Sequence, residues 1–503
     1  MAPKKALRVL LFFALLLSCS LYVPIKAYAG VPERDAAKKG IVAAESIYID
    51  KSSYSDPSMY ENDAVDVSTV RIGLHYDDTA AEEAEFVNCS GEGFAIGIYD
   101  SERVFSELAR TDESRIIITS SGEDANWCIL IDQVYDSQEK ADGAALAYGG
   151  RAEEINGEFR VLYGNFGSAE EAERIRSRYK LPGTVYTPDT AGIRVISGKT
   201  FQELYEPEKG ETSLAIVPLS TEGEGLTEYC GNRYRGGFVC TPFNVSLLTV
   251  VNYVGLEDYV KGVIPYEMNY NWPYEALKAQ AVCARTYVVY NQGQYEEFGF
   301  DITDDTMSQV YRGTLEANAT TDAAVEETAG EFVRYQGSLC ETYYSASDGG
   351  STESGKNVFG SDRPYLIGKM DPFEQAVDYS MRSWTIWRSG EDISRRLKEQ
   401  GYDIGTVTAL KPVYSDTGNV IAINFLDDAE NSLLIEGRDC YTSLGLNNCH
   451  FTVEQEGESF SFQGSGLGHN CGMSQWGANA MASVYGYDYE DIIRFYFTGA
   501  YIA

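Results

Sequence analysis

The sequence predicts an α+β protein built from more than one domain. Three observations lead there. The chain has 503 residues, more than a single hydrophobic core ordinarily organises. Short β-branched and aromatic runs such as Val70–Leu74 and Phe94–Tyr99 read as strands, whereas Tyr274, Leu277, Lys278, Ala281, Ala284, Arg285 and Val288 recur at helical spacing. Between these stretches a strand–helix pattern occurs twice, the mark of a small sheet domain with helices on it.

At the N-terminus, Lys4, Lys5 and Arg8 precede the apolar run Val9–Leu17, and Ala27-Tyr28-Ala29 supplies a small-x-small cleavage site before Gly30. Residues 1–29 therefore read as a signal peptide and the product as exported. Leu16-Leu17-Ser18-Cys19 loosely matches a lipobox, so lipidation at Cys19 and an uncleaved anchor stay open beside cleavage. No other run is long enough to span a bilayer. Residues 30–66 are polar and turn-rich, a linker or tether. Nine cysteines remain after cleavage, and outside a reducing compartment Cys230 with Cys240, and Cys440 with Cys449, are close enough in sequence for either loop to be stapled. Cys283 and Cys471 read as small buried hydrophobes.

Val70–Leu74, Phe94–Tyr99 and Arg115–Ile118 are short strands. Trp127–Tyr135 then reads as a strand leading into a helix from Ser137 to Tyr148, and Phe159–Phe166 as a strand leading into a helix from Ser168 to Tyr179. The net charge of −36 leaves no basic stripe for a phosphate backbone, which excludes nucleic acid as a partner. Thirty-seven Tyr, 21 Phe and five Trp offer flat faces for sugar rings, although Tyr is also ordinary sheet filler.

The chain centres on Glu267. Pro265 disfavours helix at the residue before it, which predicts Tyr266 and Glu267 on a turn at the mouth of a cleft. Pro273 then suits the first turn of the Ala-rich helix. With Met268 and Trp272 as apolar company, the Glu267 carboxyl is a candidate to hold a proton near neutral pH, although a lone Glu on a turn is more often simply solvated.

From about residue 210 the motifs sharpen. Leu248-Thr249-Val250-Val251-Asn252, Leu256–Met268, Trp272–Ala281, Ser308-Gln309-Val310-Tyr311-Arg312-Gly313, Tyr344–Gly350 and Gly466–Ala478 occur in order and resemble the SpoIID/LytB family, named for stage II sporulation protein D. The strand–helix repeat resembles a SPOR domain, a binder of peptide-stripped peptidoglycan glycan, through Gly164-Asn165-Phe166, Ala169 and Ala172, and a weaker first copy with Gln133 and Ala141. An unrelated ferredoxin-like insert has much the same pattern. Because Val70–Leu74 also resembles the start of the family's domain, the expected architecture is a SpoIID-type catalytic domain of mixed strands and helices carrying an inserted SPOR-like unit. Its expected boundaries are 67–122 for the first strands, 123–203 for the SPOR-like domain and 210–503 for the catalytic domain.

The resemblance implies a lytic transglycosylase that cuts between N-acetylmuramic acid and N-acetylglucosamine and closes a 1,6-anhydro ring, with Glu267 as general acid and base. It places Arg285 as a partner for the lactyl carboxylate or for Glu267, against a plain helix-surface ion pair. Tyr344, Ser345, His469, Ser474 and Gln475 would line the cleft from two Gly-rich turns. No cofactor is implied. Some relatives hold zinc with Cys and His at these turns, but here the first offers only Tyr344, Ser345 and Asp348. His469 and Cys471 would need Cys283 or Cys340 beside them, so no metal ligand is assigned. The expected partners are peptidoglycan glycan strands, an N-acetylmuramoyl-L-alanine amidase and membrane cell-wall proteins, and the expected location is the cell wall or the outer face of the membrane. The alternative is a non-catalytic wall protein, resembling LytB, that binds glycan and enhances an amidase.

Overall fold

The computed structural model describes Ile49, Lys51 and residues 54–120, 127–155, 157–166, 169–186, 192–207, 213–243 and 246–503. The leader 1–29 with Cys19, the linker to residue 48, Ser168 and the side chains of Asn165 and Ala169 lie outside the described residues. Two compact units emerge. The first combines Val67–Val263 with Asn291–Ala317, and the second combines the residues up to Asp66 with Ile264–Tyr290 and Asn318–Ala503.

The first unit contains a seven-stranded sheet ordered Ile302–Thr303, Thr69–His75, Leu248–Gly255, Gly237–Pro242, Leu214–Pro218, Phe94–Tyr99 and Phe105–Thr111. A six-stranded sheet runs Glu203–Tyr205, Ile193–Ser197, Arg115–Ser120, Glu83–Asn88, Thr227–Tyr229 and Asn232–Tyr234. The strand Glu83–Asn88 turns Ala84, Phe86 and Asn88 inward at the two-residue period of a pleated strand. Phe86 stacks on Tyr229 at 4.9 Å and meets Phe238 of the larger sheet at 4.9 Å, so the two sheets share an aromatic core.

Between Arg115–Ser120 and Ile193–Ser197, which pair antiparallel with Ser120 opposite Ile193, the chain makes an excursion. It forms a strand (Trp127–Ile131), helix (Gln138–Tyr148), two strands (Arg151–Ile155, Glu158–Phe166), a helix (Ala169–Tyr179) and a last strand (Gly183–Tyr186). The sheet order is Arg151–Ile155, Glu158–Phe166, Trp127–Ile131, Gly183–Tyr186, antiparallel throughout, which is the split βαβ topology. Ile129, Ile131, Ala145 and Val161 form its own core. Ser137 caps the first helix and Gly149 ends it in the left-handed conformation. The first strand stops at Ile131, short of the expected Tyr135; beyond it the backbone keeps only isolated bonds, from Asp132 N to Pro182 O (3.4 Å) and from Tyr135 N to Phe159 O (2.8 Å), among the described residues.

In the second unit the helix Tyr274–Tyr290 is buried on nearly every side. Ala276, Ala279, Ala281 and Ala284 leave room for the helices Ala319–Glu327, Gln475–Ser483 and Tyr489–Tyr496 to approach it. A sheet-rich portion from Trp384 to Gly464 has a separate core around Ile393, Leu397, Phe425, Phe460 and Phe462. Residues of the expected linker also join this unit: Ser55 Oγ donates to Gly499 O (2.7 Å), Tyr60 stacks on Tyr501, and Ser338 Oγ donates to Asp63 (2.7 Å). The nine described cysteines are all free thiols, so neither proposed staple forms: Cys240 and Cys440 are buried in a strand and a helix, Cys449 is buried in a loop, and Cys230 sits on an exposed turn. Among the described residues no helix is long and apolar enough to cross a membrane.

Candidate active site

Glu267 is not on a turn. It closes the helix Leu256–Glu267, which runs through Pro265. An internal proline costs a helix about 3 kcal/mol. Burying an apolar side chain returns about 1.5–3 kcal/mol, and this helix fully buries Tyr259, Val260, Val263 and Ile264. The buried stripe therefore outweighs the proline, which stands only two residues from the helix end. Met268 is buried, Tyr270 is exposed, and Pro273 leads into the next helix at Tyr274.

The half-buried Glu267 carboxylate accepts from Gln475 Nε2 at 3.4 Å. The same amide donates to Gln280 Oε1 at 3.4 Å, and the buried Gln280 Nε2 has no hydrogen-bond partner among the described residues. Gln475 holds this position because it opens the helix Gln475–Ser483, whose cap is Ser474: the Ser474 hydroxyl accepts from Gly477 N at 3.0 Å. Gly477 must be glycine, since a Cβ there would lie 1.8 Å from Tyr496 Oη and 2.5 Å from Asp371 Oδ2. Next to Gln475, the Trp476 ring packs on Trp272 at 4.6 Å and stacks on Tyr379 at 4.8 Å with an interplanar angle of 15°. All three rings are partly exposed.

Behind them Glu374 is almost wholly buried. Its Oε1 accepts from Asp348 N (2.9 Å) and Ser474 Oγ, and its Oε2 from Ser347 Oγ (2.8 Å), Tyr379 Oη (2.7 Å) and Gly349 N (3.1 Å). Asp348, Asp371 and Glu374 lie within 4.8 Å of one another. Donors already occupy the oxygens of Glu374, and Asp371 accepts from Phe373 N (2.8 Å) and Tyr496 Oη (2.6 Å), whereas Asp348 accepts from Gly350 N at Oδ1 (2.8 Å) and its buried Oδ2 has no hydrogen-bond partner among the described residues. Burial, followed by the charges of Asp371 and Glu374, raises the Asp348 carboxyl well above the usual range. Burial and the Glu374 charge push Asp371 up to about 6.

The other expected residues divide. Arg285 does not face a ligand: it is fully buried, and its guanidinium donates to Glu331 O (3.3 Å), Val325 O (3.1 Å) and Thr328 Oγ1 (3.5 Å). Helical spacing put it in line after Glu267, but the helix is covered on that face too. Ser474 is likewise internal, consumed by its cap and by Glu374. His469 braces two turns. Its Nδ1 accepts from Cys471 N (3.1 Å), its ring bonds the Tyr344 backbone and packs edge-on against Tyr343 and Phe359, and burial with the Arg438 charge pushes it down to about 4. Neither nitrogen is left for a metal. Tyr344 and Ser345 pair in parallel with Met473 and Ser474, both half-buried, and the Ser345 hydroxyl has no partner among the described residues. Sequence reasoning missed Gln280, Glu374, Asp371 and Tyr379. A glutamine inside an Ala-rich helix was a usable signal for the first, whereas the stretch Asp371–Tyr379 has no periodicity to expose its role.

A helix-borne carboxylate beside two amides and an aromatic stack, on an α+β scaffold, defines the class. The family model described as stage II sporulation protein matches residues 245–335. Stage II sporulation protein D of Bacillus subtilis is 30% identical over 313 residues, spanning 59% of this chain and 86% of that protein. An uncharacterized protein of Brachyspira hyodysenteriae is 36% identical over 273 residues, 54% of this chain and 72% of its own length. The amidase enhancer of Bacillus subtilis is 31% identical over 288 residues, 48% of this chain and 39% of that protein. The chain belongs to the SpoIID family.

Proposed function

We propose that this protein is an exported lytic transglycosylase of peptidoglycan, with Glu267 as its general acid and base. The carrying observation is that Glu267 is a partly exposed carboxylate beside partly exposed aromatic rings, while the neighbouring Asp348, Asp371 and Glu374 are buried. A hydrolase of the usual kind needs a second carboxylate to attack or to activate water. A substrate that supplies its own nucleophile needs one. Glu267 protonates the oxygen leaving C1 of N-acetylmuramic acid as the C1–O4 bond breaks. The C6 hydroxyl closes on C1, and its proton goes to the Glu267 carboxylate, restoring the acid. Such a group contributes about 10²–10⁴-fold. The Trp272–Trp476–Tyr379 stack gives sugar rings a face, and Gln475 and Ser345 give hydrogen bonds to hydroxyls and acetamides.

In this reading the excursion between residues 127 and 186 is SPOR-like and directs the protein to glycan stripped of stem peptides, at the cell wall or the outer face of the membrane. Supporting this are its place between two paired strands and its self-contained core. The test is the chemistry of the released ends. Incubation with denuded glycan yields 1,6-anhydro-N-acetylmuramic acid, read by mass spectrometry; reducing ends would mean that water attacks and a second carboxylate acts. The similarity to the amidase enhancer favours a second reading, in which the same groove binds glycan and raises the activity of a partner amidase. No cleavage by the chain alone, with faster amidase turnover on mixing, selects it.

A further inference from the structure

We propose that Glu374 is a positioning residue for Glu267: its carboxylate clamps the Ser347–Gly349 turn, Ser474 and Tyr379 together, and so sets both the Gln475 amide and the Tyr379–Trp476 stack. The inference rests on the reading of Glu267 as the acid and base. Glu374 itself contacts neither sugar nor Glu267; it works through its struts.

Five donors converge on this one side chain, three hydroxyls and two backbone N–H groups. A carboxylate accepts all five, whereas an amide of the same shape has one acceptor oxygen and turns two N–H groups toward donors. Each strut ends at the site. Ser474 immediately precedes Gln475, whose amide meets Glu267. The Tyr379 hydroxyl is held by Glu374 and lies 2.7 Å from Ser347 Oγ, while its ring stacks on Trp476. Trp476 is tied to the start of the same turn through its backbone N–H, which donates to Ala346 O at 3.0 Å. A shift of the carboxylate therefore moves the amide and the stack together. Misplacement by about 1 Å is enough to cost about 100-fold in rate.

The test uses the full chain and denuded glycan, comparing wild type, Glu374→Gln, Glu374→Asp and Tyr379→Phe. The readouts are kcat, KM, cooperative unfolding and the near-ultraviolet circular dichroism of the tryptophans. Folded Glu374→Gln is expected to lower kcat by about 10- to 100-fold while KM changes by less than about threefold, and to alter the tryptophan band. Glu374→Asp, which keeps the charge, recovers part of the rate, and Tyr379→Phe loses about three- to tenfold. Wild-type kinetics in folded Glu374→Gln, or a loss that only tracks the unfolded fraction, overturns the proposal. Should Glu374→Gln fail to fold, Tyr379→Phe and Ser347→Ala decide, and wild-type kcat in both overturns it. If the wild type releases no anhydro ends, the transglycosylase reading fails on its own; the clamp is then judged by the tryptophan band, and an unchanged band in Glu374→Gln overturns it.

Discussion

Replacing Arg285 by Met separates an internal brace from a substrate contact. The arginine donates to the buried Val325 O at 3.1 Å, to the partly buried Glu331 O at 3.3 Å and to Thr328 Oγ1 at 3.5 Å. Methionine keeps most of the apolar stem but leaves both carbonyls without this donor; the penalty is about 1–3 kcal/mol for Glu331 O and less for Val325 O, which also accepts from Thr328 Oγ1 at 3.3 Å. Thr328 suffers less, because its hydroxyl also donates to Ala324 O at 2.9 Å. The expected loss is about 2–4 kcal/mol, a large fraction of the about 5–15 kcal/mol that holds a domain together. Four of the five tryptophans, Trp272, Trp384, Trp387 and Trp476, lie in the second unit, so tryptophan fluorescence follows the unit that contains Arg285. In urea its midpoint should fall by about 1–2 M, for a slope of about 2–3 kcal/mol per molar. An unchanged midpoint with KM for glycan raised about tenfold or more would refute the reasoning and restore Arg285 to the substrate.

Gly477→Ala forces a methyl group to within 1.8 Å of Tyr496 Oη and should cost about 1–3 kcal/mol or more, lowering the same midpoint; wild-type stability would mean the helix start is loosely packed. Asp371 titrates near 6 when folded against 3.8 as a free side chain, so its contribution is present at low pH and lost as pH rises through about 6. Urea midpoints at pH 5 and 7.5 should therefore show Asp371→Asn gaining on the wild type at the higher pH, by about 1–1.5 kcal/mol; a variant that instead loses ground to the wild type would reverse the assigned direction. Deleting residues 127–186 and joining the neighbouring strand ends with a short Gly/Ser linker should leave the first unit folded but weaken capture on amidase-treated glycan, and equal capture by both forms would remove the targeting role from this segment.

Much of the scaffold was legible in the sequence because it is local. Phe94–Tyr99 carries a β-branched and aromatic run over the same residues that form the strand, and Ser137 with Gly149 brackets its helix with a cap at each end. The Ala-rich helix was plain from its spacing, but its complete burial was not, since helical periodicity cannot say how many neighbours surround a helix. That is why Arg285 read as accessible. The Pro265 rule failed at Glu267 for a related reason: a local backbone preference lost to tertiary burial of Val263 and Ile264. Glu374 and Tyr379 were invisible because their role exists only where two distant turns meet. The same holds for Ser474 and His469, whose polar atoms looked ligand-ready and prove to be spent inside the protein.

The most direct test of the central claim is the rate at which Glu267→Gln releases 1,6-anhydro ends from denuded glycan that it binds as tightly as the wild type does. The substitution keeps shape and much of the hydrogen bonding at Gln475 while removing the group that gives and retakes the proton. The account predicts a fall of at least about 100-fold with glycan binding retained. Release at the wild-type rate would contradict it and remove Glu267 from the chemistry.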